Sequence, residues 1–483
     1  MSDYQAVIGL EVHAQLKTRT KIFCSCPTTY GAPPNSQTCP VCLGHPGALP
    51  VLNQKAVELA VRGALALGCH IRPRSVFARK NYFYPDLPKG YQISQYEEPL
   101  ATGGSVRIEV DDGAREITLV RFHLEEDAGK SIHDGMPDSD RASYVDLNRS
   151  GVPLVEIVSR PDLKTPKEAY LYLQRLRSIL RYAGVCDGNL EEGSMRCAAN
   201  VSIRRKESRK LGTRTELKNL NSFRNVRRAL DFEIARQTEI AEGGGRVRQE
   251  TVLWDAADAR TRPMRGKEEA HDYRYFPEPD LLPLVLEPAW IDQRRGTLPE
   301  LPAERKQRLM ATYGITQADA HLLTLERSLA DYFEEVAELS GNARTSANFI
   351  VNDLLREQKV AKHDETNIPL PARHLAELIE MVDSGAVSVS AARGLFEELY
   401  VTRRPPAQLV REKGLEQVSD VDTLREVIRS VLQESPGQVE QYRNGKAGVF
   451  GYLVGRVMRA SGGKANPRTV NALLKEMIGS SDS

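Results

Sequence analysis

Val7-Ile-Gly-Leu-Glu-Val-His-Ala-Gln-Leu16 alternates apolar with polar residues. Successive strand side chains point to opposite faces, so Leu10, Val12, Ala14 and Leu16 share one side and leave Glu11, His13 and Gln15 on the other. Such a strand packs on a core with one face and presents a carboxylate and an imidazole on the second. Further along, Val120, Phe122 and Leu124 alternate with Arg121, His123, Glu125 and Asp127 in the same way. Residues up to about 295 carry more runs of this kind, punctuated by Gly, Asn and Pro, and read as mostly strand. Two helices interrupt them. One runs from Asn53 to Leu67 with Gly68 as its stop, and the other from about Pro166, a good first-turn residue, through Leu180. Gly243-Gly-Gly245 reads as a turn from a helix into a strand.

The pattern changes at Leu298-Pro-Glu-Leu-Pro302, where proline breaks strand pairing. Helix-forming segments follow from Ala303 to Arg356 and from Pro371 to Tyr400, and Arg403-Arg-Pro-Pro406 marks the next boundary. The expectation is an α+β protein in three parts: an antiparallel, β-rich domain over 1–295, a helical domain over 296–404, and a helical tail over 405–483. The chain has 483 residues, 41% hydrophobic and 27% charged, enough for several full cores. Net charge is only +1, so a nucleic-acid footprint has to be sought regionally. Of seven cysteines, four cluster and Cys69, Cys186 and Cys197 stand singly, which fits reduced thiols rather than a disulfide framework. The N-terminus lacks a basic and then apolar leader, and the apolar segment Leu281 to Leu286 is too short to span a bilayer. A cytoplasmic location without membrane contact is expected.

Cys24-Ser-Cys26 and Cys39-Pro-Val-Cys42 form two close pairs that can converge on one structural Zn²⁺, with Pro27, Pro40 and Gly44 shaping the turns. The alternative is four small buried hydrophobes. A second, harder ion suits the acidic motifs His123-Leu-Glu-Glu-Asp127 and Glu191-Glu-Gly-Ser194, because adjacent glutamates repel unless a cation sits between them. A solvated acidic turn is the competing reading. What favours Mg²⁺ with phosphate oxygens is the company of Glu11 and His13, and of the basic, aromatic Arg79-Lys-Asn-Tyr-Phe-Tyr-Pro-Asp-Leu-Pro-Lys89, which can hold phosphate and stack a base. Alternation turns Glu125 inward rather than Glu126, unless a bulge intervenes. No phosphate-loop motif, dinucleotide fingerprint or nucleophile elbow is present. From Gln441 to Lys475 the chain carries Arg443, Lys446, Arg456, Arg459, Lys464, Arg468 and Lys475 with no acidic residue, and Tyr442, Phe450 and Tyr452 are interleaved. That stripe fits a phosphate backbone, against the alternative of an ordinary solvated helix face.

Longer motifs narrow the reading. They are Val7-Ile-Gly-Leu-Glu-Val-His13, Arg79 to Asp86, Gly90-Tyr-Gln-Ile-Ser-Gln95, His123 to Lys130, Val145-Asp-Leu-Asn-Arg149, Glu216-Leu-Lys-Asn-Leu-Asn-Ser222 and Asp272-Tyr-Arg-Tyr-Phe-Pro-Glu-Pro-Asp280. Through them the chain resembles the GatB family, the B subunits of the glutamyl/aspartyl-tRNA amidotransferase, along essentially its whole length. The cysteine set varies in that family, so zinc rests on this chain's own spacing. The resemblance implies a glutamine-synthetase-like cradle followed by helical domains, and a heterotrimer completed by the amidase and by a small third chain, the A and C components of the same enzyme. Its substrates would be ATP and misacylated tRNA, Glu-tRNA(Gln) or Asp-tRNA(Asn), whose side-chain carboxylate is phosphorylated and then amidated by ammonia from the amidase. Carried onto this sequence, Glu11, His13, Glu125 and Glu126 would bind Mg²⁺. Tyr82, Asp86 and Lys89 would line the same pocket, Lys89 meeting phosphate and Tyr82 packing near the terminal adenosine. Glu191, Glu192, Lys218 and Asn219 are further candidates for ATP or substrate. Arg443, Lys446, Arg456, Arg459 and Lys464 would hold tRNA. A zinc-stabilised RNA-binding scaffold with no catalysis is the reading from another class.

Overall fold

The opening alternation forms a strand of 12 residues, β1 (Tyr4–Gln15). Its inner residues Ile8, Leu10, Val12 and Ala14 are at most 1% exposed, and burying each of the three larger ones contributes roughly 1.5–3 kcal/mol. The computed structural model describes residues 3–132, 135, 137–138, 141–266, 273–361, 367–417, 421–461 and 465–479. In chain order the other strands used below are β2 (Ala78–Asn81), β3 (Tyr91–Ser94), β4 (Gly113–Glu126), β5 (Pro153–Ser159), β6 (Met195–Arg205), β7 (Thr215–Leu220), β8 (Glu250–Asp255) and β9 (Arg260–Gly266).

Among the described residues β1 lies inside a ten-stranded sheet, in the order β9-β8-β7-β6-β1-β5-β4, followed by Ala101–Thr102 and His70–Ile71, with Ser105–Val110 also paired to β4. Only β7 and β8 run parallel; the other ladders of this sheet are antiparallel. A separate three-stranded sheet joins Phe276–Pro277, β2 and β3.

Helices α1 (Gln54–Ala66), α2 (Pro166–Tyr182) and α3 (Phe223–Glu242) share a hydrophobic cluster with the inner face of the large sheet. The first two begin where the sequence predicts. Asn53 Oδ1 accepts from the backbone N–H groups of Lys55 and Ala56, and Thr165 Oγ1 accepts from Glu168 N–H, so two orphan donors are capped at the start of α1 and one at the start of α2. Gly63 sets the approach of α1, because a Cβ there would lie 3.1 Å from the Phe122 ring of β4. Helix α3 was announced only by the glycine turn that follows it. Its buried stripe passes from Val226, Ala229 and Leu230 into Glu233 and Gln237, which blunts the apolar periodicity. Those two polar residues are buried because they are paired: Glu233 accepts from Arg236 and Gln237, and Gln237 donates to Thr215 Oγ1 of β7.

The chain divides into two compact units, Met1–Leu301 and Pro302–Ser483. The second is helical throughout its described elements and has two hydrophobic clusters, one over 309–410 and one over 424–478. With strands concentrated in the first unit and helices in the second, the fold class is α+β. No helix among the described residues is long and apolar enough to cross a membrane.

Candidate functional site

Register across four adjacent strands builds one rung on the outer face of the large sheet. His13 of β1 lies opposite Arg196 of β6 and Glu156 of β5, and Glu156 lies opposite His123 of β4. Side chains two residues away share that face, so Glu11 flanks His13 and Glu125 flanks His123. His13 Nε2 is 3.3 Å from Glu156 and 3.8 Å from Glu11; His123 Nε2 is 3.8 Å from both Glu156 and Glu125. The ligand atoms of Glu11, His13 and Glu156 all lie within 4.8 Å of one another, as do those of His123, Glu125 and Glu156. Glu156 belongs to both sets. The cluster is closed at His123, Glu125 and Glu156, which are buried, and half open at Glu11 and His13.

Cations favour the charged form of two of these acids, Glu156 and Glu125. For Glu156 burial favours the neutral form, but His123 and the hydrogen bond and charge of His13 outweigh it and hold the carboxyl well below its ordinary range. Glu125 is lowered despite burial by Lys80, 3.9 Å away, and by His123. Its oxygens also accept from Gln92 Nε2 at 2.5 Å and Ser94 Oγ at 2.6 Å, both from β3. Glu11 moves the other way, raised by burial and by the charge of Glu156. His13 is raised: burial opposes its charge, but the hydrogen bond and charge of Glu156 prevail. Beyond the rung, Asp127 receives both guanidinium nitrogens of Arg196 at 2.8 Å and the Gln15 amide at 2.8 Å.

Two carboxylates and an imidazole converging at a half-open position fit a divalent cation of the Mg²⁺ or Mn²⁺ class that keeps sites free for phosphate oxygens. Glu126 is not part of this convergence. The strand runs regularly to its end, so Glu126 points to the opposite side from Glu125, where it pairs with Lys89 and accepts from Ile93 N–H at 2.8 Å. Lys89 therefore meets a carboxylate away from the rung. Tyr82 does reach toward the cluster, its hydroxyl donating to Gln92 Oε1 at 3.1 Å, and Asp86 is half-buried nearby with its carbonyl accepting from Gly129 N–H. Glu191 and Glu192 are exposed on a turn whose N–H groups donate to Asn189 Oδ1. Lys218 is exposed beside Glu216, and Asn219, at φ 62°, donates to the Trp254 carbonyl; the structure groups neither with the rung. Glu156, Lys80 and Arg196 are members that the sequence reading did not single out. From Glu11 a cleft of about 620 Å³ continues along the sheet past Gly9, Asn200, Ser202, Thr213 and Arg214.

Residues 6–292 match the family described as the GatB/GatE catalytic domain, and residues 331–478 match the GatB domain. The chain belongs to the GatB family. It is 51% identical over 478 residues to the B subunit of the aspartyl/glutamyl-tRNA(Asn/Gln) amidotransferase of Carboxydothermus hydrogenoformans, covering 99% of each chain. The proteins of the same name from Geotalea daltonii and Moorella thermoacetica are 53% and 52% identical over 476 residues, with at least 99% of each chain covered.

The rung and the cysteine quartet both fall in the GatB/GatE segment. All four sulfurs lie within 4.8 Å of one another, and those of Cys39 and Cys42 are 3.9 Å apart. Tetrahedral zinc with bonds of about 2.3 Å requires sulfurs about 3.8 Å apart, so the quartet fits. The hydrogen bond with Cys24, against burial, holds Cys42 down to about 4 and pushes Cys24 up, and the buried ammonium of Lys21 lies 3.5 Å from Cys42 Sγ. Gly44, at φ 69°, lets the quartet sit against Lys89, whose Cα would lie 3.1 Å from a Cβ there.

The GatB domain carries the basic stripe. Lys446 and Arg459 are exposed, whereas Arg443 donates to the Ile478 carbonyl at 3.1 Å and Arg456 pairs with Glu434 at 2.6 Å. Lys464 lies outside the described residues.

Proposed function

We propose that this chain is the tRNA-handling component of an amidotransferase, using ATP to phosphorylate the side-chain carboxylate of Glu-tRNA(Gln) or Asp-tRNA(Asn). A carboxylate resists attack by ammonia, and oxide is a poor leaving group. Attack of a carboxylate oxygen on the γ-phosphorus of ATP releases ADP and gives an acyl phosphate. Ammonia then adds at the acyl carbon, phosphate leaves, and loss of a proton gives the amide. The relatives are named as one subunit of a larger enzyme, which supports partners, here an amidase that supplies ammonia and a small third chain.

The observation that carries this reading is the rung of His13, Glu156 and His123 flanked by Glu11 and Glu125. Glu11, His13 and Glu156 would hold Mg²⁺, which when bound neutralises phosphate charge during transfer. Lys80, Arg121 and Arg196 stand at the rim of the same face, where they offset the negative charge of two substrates and the acids. Burial of Glu125 and Glu156 keeps water from the closed end, which protects an acyl phosphate from hydrolysis. We further infer that Cys24, Cys26, Cys39 and Cys42 hold a structural Zn²⁺, and that exposed Lys446 and Arg459 meet the tRNA backbone. The test is transfer of labelled γ-phosphate from ATP to Glu-tRNA by the assembled enzyme. Glu11→Ala is expected to abolish transfer with tRNA affinity changed only a few-fold; unaltered transfer would favour the non-catalytic RNA scaffold.

A further inference from the structure

Building on that function, we propose that a belt of tyrosines beside the acid cluster is the stacking platform for the unpaired 3′ end of the tRNA, with the adenine of ATP bound elsewhere. The belt is continuous. Tyr82 and Tyr273 meet edge to face with centroids 6.0 Å apart, Tyr273 and Tyr275 likewise at 6.0 Å, and Tyr275 stacks on Tyr96 at 4.1 Å with 5° between their planes.

Two distant pieces of chain supply these rings, and Asn81 joins them. Its backbone N–H donates to the Tyr273 carbonyl at 2.9 Å, and its amide donates to the Arg274 carbonyl at 2.8 Å. Arg274 sits at φ 44°, a conformation that a long side chain rarely adopts and that the surrounding contacts must impose. The rings on either side of it are thereby turned against each other. Cations are interleaved, with Lys80 Nζ 5.4 Å from the Tyr273 centroid and the Arg121 guanidinium 5.6 Å from that of Tyr96.

The belt is also correctly placed. The Tyr82 hydroxyl donates to Gln92, whose amide donates to Glu125, so one side chain separates the belt from the cluster. An amino acid esterified to the terminal ribose must reach that cluster, so the terminal base has to rest close beside it. Tyr96 and Tyr273 keep 44% and 36% of their surface open, and Phe83, next to Tyr82, is 96% exposed. A single adenine needs one platform, whereas the belt opens two rings, Tyr273 and Tyr96, on either side of half-buried Tyr275, which suits more than one unpaired base. The opposite flank differs: the cleft leading from Glu11 has no aromatic ring in its lining and a volume in the range of small-molecule sites. That flank is where the nucleotide fits.

The experiment measures γ-phosphate transfer by the assembled enzyme with Tyr96→Ala and Tyr273→Ala, varying aminoacyl-tRNA and ATP separately. Each alanine variant should raise the KM for aminoacyl-tRNA by about five- to a hundredfold, the range one stacked base contributes. The KM for ATP should stay within about twofold. Tyr96→Phe and Tyr273→Phe keep the ring and should restore the parent KM, which separates stacking from misfolding. In parallel, a tRNA with 2-aminopurine as its terminal base should lose fluorescence on binding the parent and keep it with Tyr273→Ala. A rise confined to the KM for ATP would place the nucleotide's adenine on the belt and overturn the proposal, as would alanine variants with unchanged constants. Failure of the parent enzyme to transfer phosphate would instead sink the function on which the proposal rests.

Discussion

Glu156 faces His13 on one side and His123 on the other, and it is the acid common to both metal-capable sets. Glu156→Gln is expected to lower γ-phosphate transfer by at least about a hundredfold, the scale of removing one preorganised electrostatic contact at a reacting centre; parent-like turnover would remove the rung from catalysis. Glu125 and Glu126 should separate cleanly. Glu125→Gln should lose activity, whereas Glu126→Gln, which leaves Lys89 without its carboxylate, should chiefly lower the melting temperature. Asp127 sets a pH dependence. Burial raises its carboxyl, but Arg196 and Arg149 outweigh that and hold it below its usual value. A depressed carboxyl stabilises the fold above its unfolded value, about 3.9, and that contribution is lost as pH falls through the folded one. Asp127→Asn should therefore cost about 3–5 kcal/mol in urea unfolding at pH 7, with the difference from the parent shrinking as pH falls below the unfolded value of about 3.9. At this scale the sequence was partly legible. Glu11, His13 and Glu125 follow from alternation alone, and the same parity separates Glu126. Glu156 was hidden in Pro153-Leu-Val-Glu-Ile-Val-Ser159, an otherwise apolar run, although a lone acid in such a run is itself the signal.

Strand β1 holds the rung through its register with β5 and β6 at once. A slip by one residue would turn Glu11 and His13 into the core and Leu10 and Val12 to the outside, so the apolar face fixes the position of the polar one. Leu10→Ala is expected to destabilise the first unit by about 2–5 kcal/mol, read as a lower denaturant midpoint, and to weaken phosphate transfer without touching a polar group. The helices differ in how openly they were written. Helices α1 and α2 carry capping residues and clean apolar spacing, whereas α3 buries Glu233 and Gln237 through long-range partners that no local pattern reveals. The tyrosine belt was equally opaque, because Tyr273 and Tyr275 reach Tyr82 and Tyr96 only by way of Asn81.

Across the whole molecule, zinc and tRNA contacts should report on different units. The parent is expected to carry one zinc per chain by metal analysis, and Cys42→Ser or a strong chelator should lower the melting transition of the first unit; a zinc-free parent of equal stability would refute the structural metal. Leu409 and Val410 pack in the cluster over 309–410, so a truncation after Gln417 spares that core while removing the one over 424–478. It should raise the KM for tRNA and flatten its salt dependence, since fewer phosphates are then neutralised. The sheet order has a further outcome for biosynthesis. Because β1 emerges early but lies between β5 and β6, it leaves the ribosome long before either neighbour exists. A greasy ribbon thus lacks its first neighbour on the nascent polypeptide until Ser159 has been made and its second until Arg205, and Glu11, His13 and Glu156 cannot gather before the first of these is in place.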